Sequence, residues 1–302
     1  MTNTPEYRSG FISLIGRPNV GKSTLVNEII GEKISIISDK AQTTRNRISG
    51  IYTTESEQMV FIDTPGVHKP KHRLGDFMND QALTTLNEVD VVLFLVNASQ
   101  KRGPGDSFIM ERLEKISQPV FLVINQIDKV HPDDLPGIAE TYTHDYDFAE
   151  IIPISAANGN NIKNLLQTVV GYLPEGPQYY PEDQVTDHPE SFIIKEIIRE
   201  KVLELTREEI PHSTAIVIDN IFRNDDDKLE ISANIVIERP SQKGIIIGKK
   251  GSMLKEIGKR ARRELEALLG EKIYLDLWVR VKSDWRDRDN YLTDFGYNRE
   301  DY

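Results

Sequence analysis

The stretch Gly16–Thr24, reading GRPNVGKST, lies between an apolar run, Phe11–Ile15, and a helix-like stretch, Leu25–Ile30. No other feature narrows the fold as much. A strand that runs into G-x-x-x-x-G-K-S and then into a helix turns backbone N–H groups and a helix N-terminus toward an anion. Gly16 and Gly21 permit a backbone path and a ligand approach that a Cβ would block. In such a loop Lys22 meets the β and γ oxygens of a nucleotide and Ser23 binds Mg²⁺, while Arg17, Pro18, Asn19, Val20 and Thr24 belong to the same nucleotide-binding segment.

The pattern around the loop agrees with it. Short β-rich runs at Phe11–Ile15, Met59–Ile62, Val89–Val96, Val120–Ile124 and Ile151–Ile154 alternate with helical stretches. That alternation predicts a mostly parallel sheet with helices on both faces, and Ile48–Thr53, joined by the turn TESE, adds an antiparallel edge strand. A P-loop α/β domain over residues 8–173 is expected. Residues 174–190, rich in Pro, Gly and acid and without periodicity, read as a linker. Residues 191–302 then form a smaller α+β domain: an amphipathic helix over Ser191–Glu209, strands at Thr214–Ile221 and Leu229–Glu238, a short apolar stretch at Gly244–Ile247, a helix over Ser252–Leu269 and a strand over Lys272–Lys282.

Two domains suit 302 residues with 38% hydrophobic content. The absence of Cys excludes disulfides and thiolate chemistry, and the six His show no metal-ligand spacing. A polar N-terminus and the lack of any apolar run near ~18 residues predict a soluble, cytoplasmic protein. The net charge of −11 argues against nucleic-acid binding by bulk charge, so a local basic patch would have to carry any such role.

Three further motifs follow the loop in order. DTPG, Asp63–Gly66, closes a strand where a carboxylate reaches Mg²⁺ through water and the Gly66 N–H meets the γ-phosphate; Thr64 and Pro65 complete the turn. NQID closes the strand Val120–Ile124, and its Asp128 can accept two hydrogen bonds from guanine, a donor pair that adenine lacks; Asn125 and Gln126 precede it. SAANG begins at Ser155 and turns backbone N–H groups, notably that of Ala156, toward the base carbonyl, with Ala157 beside it.

Loop, DTPG, N-x-x-D and SA in this order resemble the translation-factor-related small GTPases. The resemblance implies a first switch in Ser38–Arg47, where one threonine binds Mg²⁺ only when a γ-phosphate is present; Thr44 is favoured and Thr43 is the alternative. It places the second switch in Pro65–Met78 and makes Lys22, Thr44 and Gly66 the catalytic set. Gln126 stands where the family usually has Lys, which predicts somewhat weaker nucleotide binding. Val67 stands where Ras-like enzymes carry a water-orienting Gln, so slow intrinsic turnover is expected. Asn19 beside such a hydrophobic substitution makes K⁺ at the β/γ-phosphates a candidate, with Asn19 capping its own loop as the alternative.

In the second domain, IIIGKKGSMLKEIGKR, Ile245–Arg260, sets G-x-x-G between an apolar segment and an amphipathic helix, as in a KH module that grips about four single-stranded nucleotides. Gly248 and Gly251 allow close approach, and Lys249, Lys250, Lys255, Arg239 and Lys243 supply charge. From Arg239 to Arg263 nine basic residues face a single acid, Glu256. In the tail, Trp285, Tyr291, Phe295 and Tyr297 either stack on bases or pack against the module.

A small GTPase followed by one KH domain of the prokaryotic (type II) order resembles the Era family of bacterial ribosome-assembly GTPases over nearly the whole chain. The resemblance implies a Mg²⁺-dependent GTPase that alternates between GTP and GDP, binds the 3′ end of 16S rRNA through its KH domain and supports 30S subunit maturation as a monomer. Peripheral contact with the cytoplasmic membrane stays open. Two rivals are an ATP-dependent kinase, which gives no reason for Asp128, and an RNA binder with a degenerate nucleotide domain, which gives none for Lys22, Ser23 and Asp63 together.

Overall fold

The computed structural model describes residues 7–297. The polar start of the chain and the last five residues of the expected second domain lie outside them. The chain divides into two units, one of residues up to Ser35, Thr44–Lys71 and Gly75–Asp187, the other of Ile36–Thr43, His72–Leu74 and the residues from His188 on.

The first unit is built on a six-stranded sheet: β1 (Arg8–Ile15), β2 (Ile48–Thr53), β3 (Glu57–Asp63), β4 (Val91–Asn97), β5 (Val120–Asn125) and β6 (Glu150–Pro153), in the order β2-β3-β1-β4-β5-β6. All neighbours are parallel except β2 with β3, so the hairpin forms the antiparallel edge. β4 is buried at every residue, as expected of a continuous Val/Leu/Phe strand covered on both faces. Five helices pair with this unit in sequence: α1 (Lys22–Ile30), α2 (Arg73–Thr84), α3 (Pro104–Leu113), α4 (Leu135–Thr143) and α5 (Ile162–Tyr172). Phe94, Tyr142 and Phe148 anchor the core on one side of the sheet, with Phe94 and Phe148 stacked at 6.3 Å. The consequence for function is geometric: β1, β3 and β5 all point their carboxyl ends to the same edge of the sheet, where ligands of open α/β folds bind.

The segment read as a linker is not slack. Up to Asp187 it belongs to the first unit: Ser9 donates through N to Pro174 O and through Oγ to Pro177 O, the Gln58 carboxamide pairs with Tyr179 and Tyr180, and Ile51 N donates to Val185 O. Extended, proline-bearing chain leaves its carbonyls and N–H groups free for such partners, and this is why a stretch without periodicity is nonetheless tied down.

The second unit contains α6 (Glu190–Leu205), β7 (Ala215–Arg223), β8 (Leu229–Ile237), α7 (Pro240–Ile247), α8 (Ser252–Leu269), β9 (Ile273–Val281) and α9 (Asp289–Asp294). Its sheet runs β7-β8-β9, antiparallel and then parallel, with a bulge between Ile218 and Asn220. Buried Ile257, Ala261 and Leu265, spaced by four along α8, face Ile235, Ile246 and the Ile197/Ile198 pair of α6 in one cluster. The apolar stretch expected at Gly244–Ile247 is the second half of α7; Pro240 opens that helix and the Gln242 Oε1 accepts from the Glu238 and Arg239 N–H groups. α6 ends four residues earlier than expected, where Thr206 turns extended. The tail aromatics pack: Trp285 is fully buried, donates through Nε1 to Ser213 O at 2.9 Å, and stacks with Tyr297, while Phe295 meets it edge-on. Their rings are part of the core, which takes the choice between stacking on bases and packing to the second side.

Candidate functional site

At the carboxyl edge of the first sheet the chain leaves β1 through Gly16 and enters α1 through Gly21, which caps the helix at φ 100°. A Cβ at Gly21 would sit 2.2 Å from Asn125 Nδ2, and one at Gly16 would sit 2.5 Å from Leu95 O. Packing therefore demands a glycine at both positions, and at Gly21 the left-handed backbone demands one as well. Asn125 holds the loop from below: its Nδ2 donates to Val20 O at 2.9 Å, and its Oδ1 accepts from Gln126 N and Ala156 N. The Ala156 N–H, expected to face the base, is thus engaged by Asn125. Pro18 lies under Gly66, whose Cβ would fall 2.8 Å from the Pro18 backbone, so DTPG and the loop run in direct contact. Thr64 Oγ1 donates to Leu14 O, and Thr64 and Pro65 are buried in that turn.

Lys22 is buried, with Nζ donating to the carbonyls of Gly16 and Arg17 at 3.3 and 3.2 Å. Burial pushes its ammonium down to about 8, and Asp63 opposes that shift. Burial thus costs this ammonium part of its preference for the charged form, and a polyphosphate beside it would offset that cost. Asp63 is fully buried at the end of β3. Its Oδ2 accepts from Ser23 Oγ at 2.6 Å, Ser35 Oγ at 2.8 Å and Thr44 Oγ1 at 3.3 Å, and Ser23 and Thr44 are 3.0 Å apart. Burial raises its pKa, against the lowering pull of Lys22 and the three hydroxyls. The other oxygen, Oδ1, is buried with no hydrogen-bond partner.

This donor set fits Mg²⁺. All its atoms are oxygens, and the unpaired carboxylate oxygen is the kind of buried group that a hard divalent cation or its water shell satisfies. The structure brings Thr44 to this cluster and not Thr43, whose Oγ1 donates to Lys40 O. Ser35 is a member that sequence reasoning missed; a lone serine before the switch carries no periodic or motif signal.

Val67 is 2% exposed and packs into the core cluster of the first unit, its N–H donating to Gly16 O. It is therefore turned away from the loop's open side. Gln126, at φ 65°, reaches through Nε2 to Asn19 O at 3.4 Å and accepts from Lys129 at 2.8 Å. Asn19 takes a positive φ of 64° at the loop tip. Asp128 is exposed, held by Ser155 Oγ at 2.5 Å on Oδ1, which leaves its carboxylate open to a base; Ala157 is exposed beside it. Arg17 points its side chain to Asp106 on α3, and Thr24 is half-buried on α1.

In the second unit, Gly248 (φ 72°) follows α7, Lys249–Gly251 make one tight turn with Lys250 at φ 54°, and Gly251 (φ 79°) opens α8. A Cβ at Gly248 would press to 2.7 Å from Met253, whereas Gly251 faces open space. Beside the turn lies a groove of about 500 Å³ between α8 and β9, with Leu254, Leu275 and Leu277 as an apolar floor and Lys255, Lys259 and Arg262 on its rim. Gly258 and Lys259 lie in the motif stretch and Lys259 and Arg262 in the basic run, yet sequence reasoning did not single them out as RNA contacts; Gly251, Leu254, Lys255, Gly258, Lys259 and Arg262 repeat at helical spacing. Arg239 and Lys243 do not line the groove.

A family model described as a 50S ribosome-binding GTPase matches residues 11–126, and a KH-domain model matches residues 209–286. Two solved structures match over both domains. Era in complex with MgGDPNP and nucleotides 1506–1542 of 16S ribosomal RNA superposes with a TM-score of 0.93 at 46% identity, covering 96% of this chain and 99% of that one. A Tyr-to-Ala variant of Aquifex aeolicus Era bound to GDP and AlF₄⁻ gives 0.92 at 46% identity with the same coverage. Fold and site together define a P-loop GTPase carrying a C-terminal KH module. The chain belongs to the Era family. Among the described residues no helix is long and apolar enough to cross a membrane.

Proposed function

We propose that this protein is a GTP-dependent clamp on single-stranded ribosomal RNA: loaded with GTP it binds the 3′ end of 16S rRNA in the α8/β9 groove, assists maturation of the small subunit in the cytoplasm, and lets go after hydrolysis. The relative solved with 16S nucleotides 1506–1542 supports the choice of RNA. The groove supports the mode of binding, since an apolar floor takes unstacked bases while Lys255, Lys259 and Arg262 on its rim, with Lys249 and Lys250 in the adjoining turn, meet phosphates. Any membrane contact would be peripheral.

In the nucleotide site Lys22 binds the β and γ oxygens, the Gly66 N–H meets the γ-phosphate, and Asp128 selects guanine. Ser23, Thr44 and Asp63 would hold Mg²⁺, which supplies positive charge to the β/γ oxygens when bound. With Val67 in the core, no side chain at that position orients water, so turnover rests on charge stabilisation and is slow. Asn19, at the loop tip with a positive φ, supports K⁺ assistance at the β/γ-phosphates; equal hydrolysis rates in K⁺ and Na⁺ buffers would remove that part.

One observation carries the switch reading. Residues 36–43, from the first switch, are held within the second unit by α6: Ile37 N donates to Glu200 Oε1 at 3.0 Å, and Arg199, itself pinned by Glu196, donates to Thr43 O. The next residue is Thr44. A change in what Thr44 binds therefore alters a segment that the RNA-binding unit holds, and reciprocity requires RNA to shift nucleotide affinity by the same factor. RNA affinity measured with GDPNP and with GDP tests this; identical values would refute it.

A further inference from the structure

One residue of the phosphate loop is anchored outside the nucleotide site altogether. The Arg17 Nε donates to Asp106 Oδ1 at 2.9 Å, and Asp106, on the first turn of α3, is fully buried. Its other oxygen accepts from Gly103 N at 2.8 Å. The arginine stem lies flat over Gly103 and Gly105: a Cβ at Gly105 would stand 3.0 Å from Arg17 Cδ, and one at Gly103 would stand 3.1 Å from Nη1. The Arg17 carbonyl, at the other end of the same residue, accepts from Lys22 Nζ. The G-P-G-D run thus provides a groove of glycines and a buried carboxylate shaped for one side chain, and that side chain belongs to the loop.

We propose that Asp106 is a positioning residue for the phosphate loop, fixing its backbone against α3 through Arg17 and so slowing the loss of bound nucleotide. The inference rests on the reading of Gly16–Ser23 as the phosphate loop. A loop whose N–H groups already converge gives up less conformational freedom when the nucleotide binds, and a pinned loop opens less often to release it. Removing Arg17 leaves the buried Asp106 with only the Gly103 N–H, and removing Asp106 leaves Arg17 with only its long, exposed contacts to Gln100 and Lys101, so the pin fails as a unit.

The test is the dissociation rate of fluorescent GDP from the full chain with Mg²⁺, beside thermal unfolding of the same samples. Arg17→Ala and Asp106→Asn should each speed release about tenfold, and the double variant should match the singles, because they remove one connection. Gly105→Ala is the more telling variant. It replaces glycine inside α3 by the best helix former, so the melting temperature should hold or rise. Its Cβ nevertheless displaces the arginine stem, so release should quicken several-fold. Should Asp106→Asn fail to fold, Arg17→Ala and Gly105→Ala carry the same readout. Release within twofold of the unaltered protein in those two, or effects that multiply in the double variant, would overturn the proposal. Lys22→Ala separates this from the underlying reading: normal GDP binding there would unseat the phosphate-loop assignment itself, whatever Arg17 does.

Discussion

Two glycine loops in this protein look alike in sequence and differ in physics. Each ends in a left-handed glycine that opens a helix, Gly21 at φ 100° before α1 and Gly251 at φ 79° before α8, and each carries lysine beside it. A side chain at Gly21 would collide with Asn125, while one at Gly251 would meet nothing within 4 Å. Lys22 is buried and its ammonium is depressed, while Lys249 and Lys250 are exposed. The first loop is closed by its surroundings and suits a compact, multiply charged end group held from all sides. The second is open and suits a backbone that passes by. Phosphate recognition is thus set less by glycine and lysine themselves than by what the fold places behind them.

The sharpest way to break this contrast is to truncate both kinds of lysine and compare. Lys22→Ala should weaken GDP and GTP binding by on the order of 10²–10³-fold, the cost of losing a buried charge partner, and the loss should change little with salt. Asp128→Asn should cost roughly 10²-fold in GTP affinity while leaving ATP binding unchanged, measured by competition, because only the guanine donor pair is affected. In the open loop the double variant Lys249→Ala with Lys250→Ala should cost about tenfold in single-stranded RNA affinity at moderate salt. It should also lower the slope of log affinity against log salt by roughly 0.7 for each phosphate that the lysines no longer neutralise. If the Lys22 effect faded with salt as the RNA effect does, the distinction between closed and open loops would fail.

How much of this was readable from the chain follows the same divide. The six strands of the first sheet, the antiparallel edge and the order of motifs were legible because strand ends and short motifs are local signals. The long-range pins were not. Nothing near Ser35 announces that it meets Asp63, and Asp106 lies 89 residues from Arg17. The stretch after Leu173 reads as a linker since composition reports what a segment cannot do alone, and it is silent about the Gln58 carboxamide waiting for it. The α8/β9 groove falls between: its rim on α8 was implicit in the helical repeat from Gly251 to Arg262, but Leu275 and Leu277 needed the parallel pairing of β9 with β8 to bring them beside it.

The smallest predicted effect concerns Gln126, where the family usually has a lysine. Its amide reaches Asn19 O at 3.4 Å and is braced by Lys129, so part of the bridge between the guanine motif and the loop tip is kept by a neutral group. A lysine would replace that long hydrogen bond with a charged donor and lay its methylenes along the base, whereas the glutamine is shorter and carries no charge. Gln126→Lys should therefore tighten GDP binding only about threefold to fivefold, within the range of one charge-assisted hydrogen bond replacing a weak neutral one. Selectivity over adenine nucleotides should not move if Asp128 is what reads guanine, as proposed above. Tighter binding of GDP and ADP together would mean that position 126 contributes bulk attraction to any base, and the loop tip would then have to be counted among the open surfaces rather than the closed ones.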